Sequence, residues 1–194
     1  MGNVKGVKAV KLAIADPPYL GRAVRYYGQG GCGYGYGHKQ ADNHPEAHLW
    51  DDPETHKELA QRLLANYDGF AIALTVHSLS TYLQVLETDS RNGIRVGAWI
   101  KPIAIPSGSR IKTRWEPVIF KIPKERRGYA MGDRVNDYLI ANPPKRNFIG
   151  SKPKEWTEWV LKVLGYEAGD EVHDLFIGSG AVSEVLANVD KSSL

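Results

Sequence analysis

Four consecutive residues, Asp16-Pro17-Pro18-Tyr19, set a carboxylate, two prolines and an aromatic ring directly after an apolar run at 7–14. The run alternates as a buried strand does, and the prolines end it by removing backbone donors. An acid and an aromatic are therefore expected at a strand tip. That pair suits a planar base whose exocyclic amine must become nucleophilic. The amine's lone pair is delocalised into the ring, so a carboxylate and a backbone carbonyl must accept its protons while the nitrogen rehybridises. Asp16 and the carbonyl of Pro17 fit those tasks. The Tyr19 ring fits the base face, because stacking holds a base without reading its sequence. The same residues also suit an ordinary turn, in which Asp caps and Pro presets φ.

A second stretch narrows the chemistry. Residues 171–180, with Asp174, Phe176, Gly178, Ser179 and Gly180, read as a strand entering a glycine turn that opens a helix. Glycine lets the backbone approach a ligand closely, and the helix start offers free N–H groups. A third piece, Ser151-Lys152-Pro153, heads a helix just before it.

Together these pieces resemble the S-adenosylmethionine-dependent amino methyltransferases that modify N6 of adenine or N4 of cytosine in DNA. The order, catalytic motif first and cofactor motif last, is that family's permuted, beta-type arrangement. The resemblance implies that Asp16, Pro17, Pro18 and Tyr19 are catalytic. It implies that Phe176, Gly178, Ser179 and Gly180 line S-adenosylmethionine, that Asp174 faces its amino-acid moiety, and that Lys152 and Pro153 flank the methionine end. Methyl transfer would be a direct in-line displacement needing neither a metal nor a covalent enzyme intermediate. Aspartate rather than serine before Pro-Pro leans towards adenine. Family members usually continue past the glycine-turn helix into further strands, one ending on an acid for the cofactor ribose. This chain is expected to lack them, with Asp16, Glu184 or a partner chain compensating.

The elements that must position these groups follow from periodicity. Asp51-Asp52-Pro53 opens a helix running to Tyr67, a strand is expected at 70–76, and Ser78 is expected to cap a short helix. Strands are expected at 94–100 and 117–122, a short helix at 135–141, a helix at 151–164 stopped by Gly165, and another at 180–187. Trp115 is expected to pack in the core or at the rim. Strands alternating with amphipathic helices predict an α/β fold. With the resemblance, this becomes a mainly parallel Rossmann-like methyltransferase sheet with helices on both faces, lacking the last strands after the cofactor-binding turn.

With 194 residues the chain is expected to be a single domain, 1–194. Its net charge of +3 is mildly basic, and the cations crowd the segment 101–146, where Lys101, Arg110, Lys112, Arg114, Arg126 and Arg127 lie. Arg22 and Arg25 flank the catalytic tip. Such a stripe suits a phosphate backbone, so DNA is the expected partner, with RNA as an alternative. By the resemblance, 101–146 contains the target-recognition region, short enough to predict a short site or little sequence preference. The glycine-rich loop 28–37, with Tyr34 and Tyr36, reads equally as a lid over a flipped nucleotide and as a plain surface loop. His38, His44 and His48 invite a metal reading, but Pro45 breaks a shared helical face, and a polar loop is expected instead. The lone Cys32 excludes intramolecular disulfides and fits a reducing compartment. No apolar run reaches membrane-spanning length, so the expectation is a cytoplasmic monomer or homodimer.

Other functions fit less well. A dinucleotide-binding oxidoreductase would want a third glycine after Gly180, and a P-loop enzyme a glycine-lysine-serine or -threonine ending. A non-catalytic nucleic-acid-binding relative would keep the basic middle and need no Asp16. An enzyme of this kind acting on RNA or protein would keep the motifs.

Overall fold

A computed structural model describes residues 8–28, 44–88, 91–105, 110–128, 134–144, 150–178 and 180–189. Tyr34, Tyr36, His38 and Ser179 lie outside the described residues. Six strands form one sheet: β1 (Lys11–Ala15), β2 (Gly69–Ala73), β3 (Ile94–Ile105), β4 (Thr113–Lys121), β5 (Tyr138–Ile140) and β6 (Glu171–Asp174). Their spatial order is β5-β3-β4-β2-β1-β6. β4 alone runs against the rest, pairing antiparallel with β2 and β3, while β1 pairs parallel with β2 and β6, and β3 with β5.

Both faces of the sheet are covered, as a parallel sheet requires. Leu12 and Ile14 point to one side, where they join Trp156, Val160 and Leu164 of α4 (Lys154–Leu164) and Val182 and Val185 of α5 (Ala181–Val189). Ala13 and Ala15 point to the other, towards Leu59 and Leu63 of α2 (Pro53–Asn66) and Tyr82 of α3 (Leu79–Leu83). The period-2 alternation of each strand thus divides one apolar run between two cores.

Local chemistry sets the helix ends. The Asp52 carboxylate accepts the Glu54 N–H, and Pro53 occupies the first turn of α2, where a missing N–H costs nothing. The helix expected from 151 begins instead at Lys154, because Pro153 disfavours helical geometry in the residue before it and itself becomes the N-cap. Gly165 ends α4 with φ of 69°. A side chain there would meet strain and would place its Cβ 3.0 Å from the Arg126 Cβ. Gly165→Ala is therefore expected to lower stability by about 1–2 kcal/mol, read as a fall in the thermal unfolding midpoint.

Three expected elements differ. The helix expected at 135–141 is strand β5, in parallel register with Ala98–Ile100; three-residue edge strands carry no period, so pairing rather than propensity decides them. Ser78 makes no side-chain cap to α3, and its hydroxyl pairs with that of Thr75 at 2.9 Å. Of the two places expected for Trp115, core or rim, the core is ruled out, since it stands 41% exposed on β4.

Candidate active site

β1 and β6 lie side by side in parallel register, with Ile14 opposite Asp174. The two motifs from opposite ends of the chain therefore leave the sheet at one edge. Between them is a cavity of about 500 Å³ whose walls include Asp16, Pro18, Trp50, Lys152, Phe176 and Gly178. A volume in this range holds a ligand of cofactor size.

Asp16 sits at the end of β1 with its side chain 23% exposed. Both its oxygens accept from the Lys152 ammonium, at 2.7 and 2.6 Å. The same ammonium, only 2% exposed, donates to the Tyr19 hydroxyl and to the Gly150 carbonyl, each at 3.1 Å. It also lies 5.4 Å from the centre of the Tyr19 ring and 5.7 Å from that of Trp156. The Tyr19 hydroxyl in turn donates to Glu116 at 3.1 Å, and Glu116 pairs with Lys101. A chain of alternating charge thus fixes the carboxylate and the orientation of the tyrosine ring. Burial pushes the Asp16 carboxyl above its ordinary 3.8; Lys152 opposes the shift, and the negative charges of Glu116 and Asp174 reinforce it. Burial and Glu116 push the Tyr19 phenol well above 10.0, so it stays protonated.

The glycine turn forms the opposite wall. Gly178 and Gly180 take φ of 47° and 74°, and the Gly180 N–H donates to the Ile177 carbonyl at 2.7 Å. Asp174 is turned inward, its carboxylate accepting from the Phe176 N–H at 3.3 Å and the Ser183 hydroxyl at 2.9 Å. It braces the turn and is not part of the cavity wall described above. Pro153 borders a second cavity, of about 450 Å³, which shares Lys152 and Ala181 with the first.

Several site residues carried no recognisable motif. The 3-10 turn Ala47–Asp51 brings Trp50 to the cavity, where its ring meets Phe176 edge-on at 5.1 Å. Asp51 accepts the N–H groups of Ala23 and Val24 at 2.9 and 3.0 Å, tying this turn to α1 (Ala23–Tyr27) just beyond Tyr19. The acid pair ahead of Pro53 was visible, but only as a helix start. Behind Trp50, the buried His56 bonds the Trp50 carbonyl through Nε2 at 2.8 Å and the Tyr82 hydroxyl through Nδ1 at 2.7 Å. Because a carbonyl only accepts, Nε2 carries the proton and Nδ1 accepts from Tyr82. Burial lowers the His56 pKa below 6.5. The unfolded chain then takes up a proton near pH 6.5 that the folded chain refuses until lower pH, so acidification favours unfolding. Wild type should lose stability below pH 6.5 more steeply than His56→Gln in parallel denaturant titrations.

The basic stripe divides. Arg22 and Arg25 are exposed around α1, and Arg110, Lys112 and Arg114 are exposed along or beside the outer half of β4. Of Arg126 and Arg127, expected to contact nucleic acid, Arg126 is buried and Arg127 is half-buried, its guanidinium engaged by backbone carbonyls. The Arg126 side chain is 1% exposed and pairs with Asp170 and the Gly165 carbonyl, and Arg127 donates to the carbonyls of Ile122 and Arg91. Lys101 is likewise buried against Glu116. His48 contacts the Pro45 carbonyl through Nδ1, and His44 sits edge-on to Tyr27.

The fold has solved counterparts. The chain is similar in fold to M1.HpyAVI. The structure of the M1.HpyAVI-SAM complex matches 94% of this chain and 79% of that one, at a TM-score of 0.57 and 16% identity. A structure of M1.HpyAVI matches 94% and 78%, at 0.56 and 15%. No protein-family model and no curated protein matches the sequence.

Proposed function

We propose that this chain methylates an exocyclic amine in DNA, N6 of adenine, with S-adenosylmethionine as methyl donor. The observation that carries the reading is the meeting of Asp16 and the glycine turn across one cavity, through the β1–β6 register. The fold likeness to a protein solved with SAM supports it.

The cavity fits such a cofactor. It has an aromatic wall in Trp50 and Phe176, a backbone wall at Gly178, and one lysine in Lys152. Ser151, which also lines it, has its buried hydroxyl without a hydrogen-bond partner. Trp50, Phe176, Gly178 and Gly180 would hold the nucleoside part, and Lys152 the amino-acid end. When bound, the cofactor supplies an electrophilic methyl group on a sulfonium. The chain's own task is to hold the acceptor. Asp16 and the Pro17 carbonyl would accept hydrogen bonds from the two amine N–H groups, which localises the nitrogen lone pair towards the methyl. One N–H is retained in the product, and the other proton is lost once the nitrogen–methyl bond has formed and the sulfur–methyl bond has broken. Tyr19, held from both sides of its hydroxyl by Lys152 and Glu116, stacks on the base. Aligned displacement needs little beyond this positioning.

DNA would be gripped beside the site by Arg22 and Arg25 and by Arg110, Lys112 and Arg114, the last on the same strand as Glu116. The triple variant Arg110→Ala, Lys112→Ala, Arg114→Ala should bind DNA more weakly at low salt. It should also flatten the slope of log affinity against log salt by about 3. An unchanged slope would remove this surface from the reading.

A further inference from the structure

The ammonium of Lys152 is oversubscribed. It has three protons to give, and four acceptors surround it: both Asp16 oxygens, the Tyr19 hydroxyl and the Gly150 carbonyl. Among the described residues it is also the single lysine or arginine lining the 500 Å³ cavity. An anionic group that pairs with this ammonium must compete with Asp16 for it. Deep burial makes an unpaired ammonium costly, so exchanging one carboxylate for another is the accessible rearrangement. Asp16 is the more exposed partner and can be released towards the substrate side. Lys152 also borders the second cavity.

We infer that Lys152 is a ligand-operated latch, which engages Asp16 in the empty protein and releases it when a carboxylate-bearing ligand fills the cavity. The inference rests on the methyltransferase reading and adds an order to it. The carboxylate of the cofactor draws Lys152 away, and only then are both Asp16 oxygens available to an amine. A target base arriving first would find the acceptor occupied.

S-adenosylhomocysteine and 5′-methylthioadenosine test this by calorimetry, without turnover. Both carry the nucleoside and a neutral thioether, and only the first has the carboxylate. Asp16→Asn should tighten S-adenosylhomocysteine about 10-fold, because Lys152 no longer has a competing anion, and leave methylthioadenosine within about 2-fold. Lys152→Met should weaken S-adenosylhomocysteine at least about 10-fold and spare methylthioadenosine. In the double variant the Asp16→Asn gain should vanish. If that gain persists undiminished without Lys152, it reflects removal of charge alone, and the latch is wrong; equal effects on both ligands would also overturn it. Should Lys152→Met alone fail to fold, the test passes to Asp16→Asn, in which the Lys152 ammonium keeps the Tyr19 and Gly150 oxygens and the new amide oxygen as acceptors, against the double variant, which carries neither charge. There, the added loss of Lys152 must weaken S-adenosylhomocysteine and not methylthioadenosine. If wild type binds neither ligand, the cofactor reading itself falls, a result distinct from binding without coupling.

Discussion

Asp16→Ala is expected to reduce methyl transfer at least about 100-fold while the protein remains folded. The carboxylate is the one charged acceptor at the tip of β1, and its place is fixed by the Lys152 ammonium on one side and the rigid Pro17-Pro18 exit on the other. Alanine keeps the strand, removes the acceptor and leaves the Lys152 ammonium to the Tyr19 and Gly150 oxygens, so some stability is lost without unfolding. The loss should fall on the rate at saturating cofactor and DNA, since neither phosphate contacts nor the aromatic cavity wall are touched. Circular dichroism would confirm the fold, and single-turnover transfer would give the effect. Retention of the wild-type rate would mean that another group accepts the amine protons.

The second large effect concerns stability. Arg126→Ala should cost about 3–5 kcal/mol, because it strands a buried carboxylate. Arg126 joins three distant segments: its Nε donates to the Gly165 carbonyl at the end of α4, and its guanidinium meets Asp170 at 3.2 Å. Asp170 also receives the N–H groups of Val10, just before β1, and of Glu167, each at 2.9 Å. The knot anchors β1 and β6, the two strands that carry the site. Urea denaturation should show the loss, while DNA affinity per folded molecule stays unchanged. Arg114→Ala should do the opposite, weakening DNA binding with little change in stability.

Much of the fold was legible because its signals are local. Alternation marked β1, a continuous apolar run marked β2, an Asp-Pro pair marked the start of α2, Gly165 marked the end of α4, and both halves of the site lay in contiguous motifs. What escaped depends on contacts far along the chain. Glu116 reaches Tyr19 only because antiparallel pairing sets it opposite Trp99. Trp50 reaches Phe176 only because Asp51 fastens its turn to α1. In sequence, Arg126 and Lys101 look like part of a phosphate-binding stripe, because charge counts do not distinguish a solvated cation from one buried against an acid. Lys152 illustrates both sides. The resemblance placed it at the cofactor, and the structure sets it on Asp16 as well, a pairing 136 residues apart that no spacing rule reveals.

The most direct test of the central claim is transfer of labelled methyl from S-adenosylmethionine to unmodified DNA, with the digested nucleosides resolved and an RNA sample run in parallel. Label on N6-methyladenine, lost in Asp16→Ala, is the predicted result. Label confined to RNA or to another nucleoside would contradict the proposed target, and no label on any nucleic acid despite cofactor binding would contradict the proposed reaction.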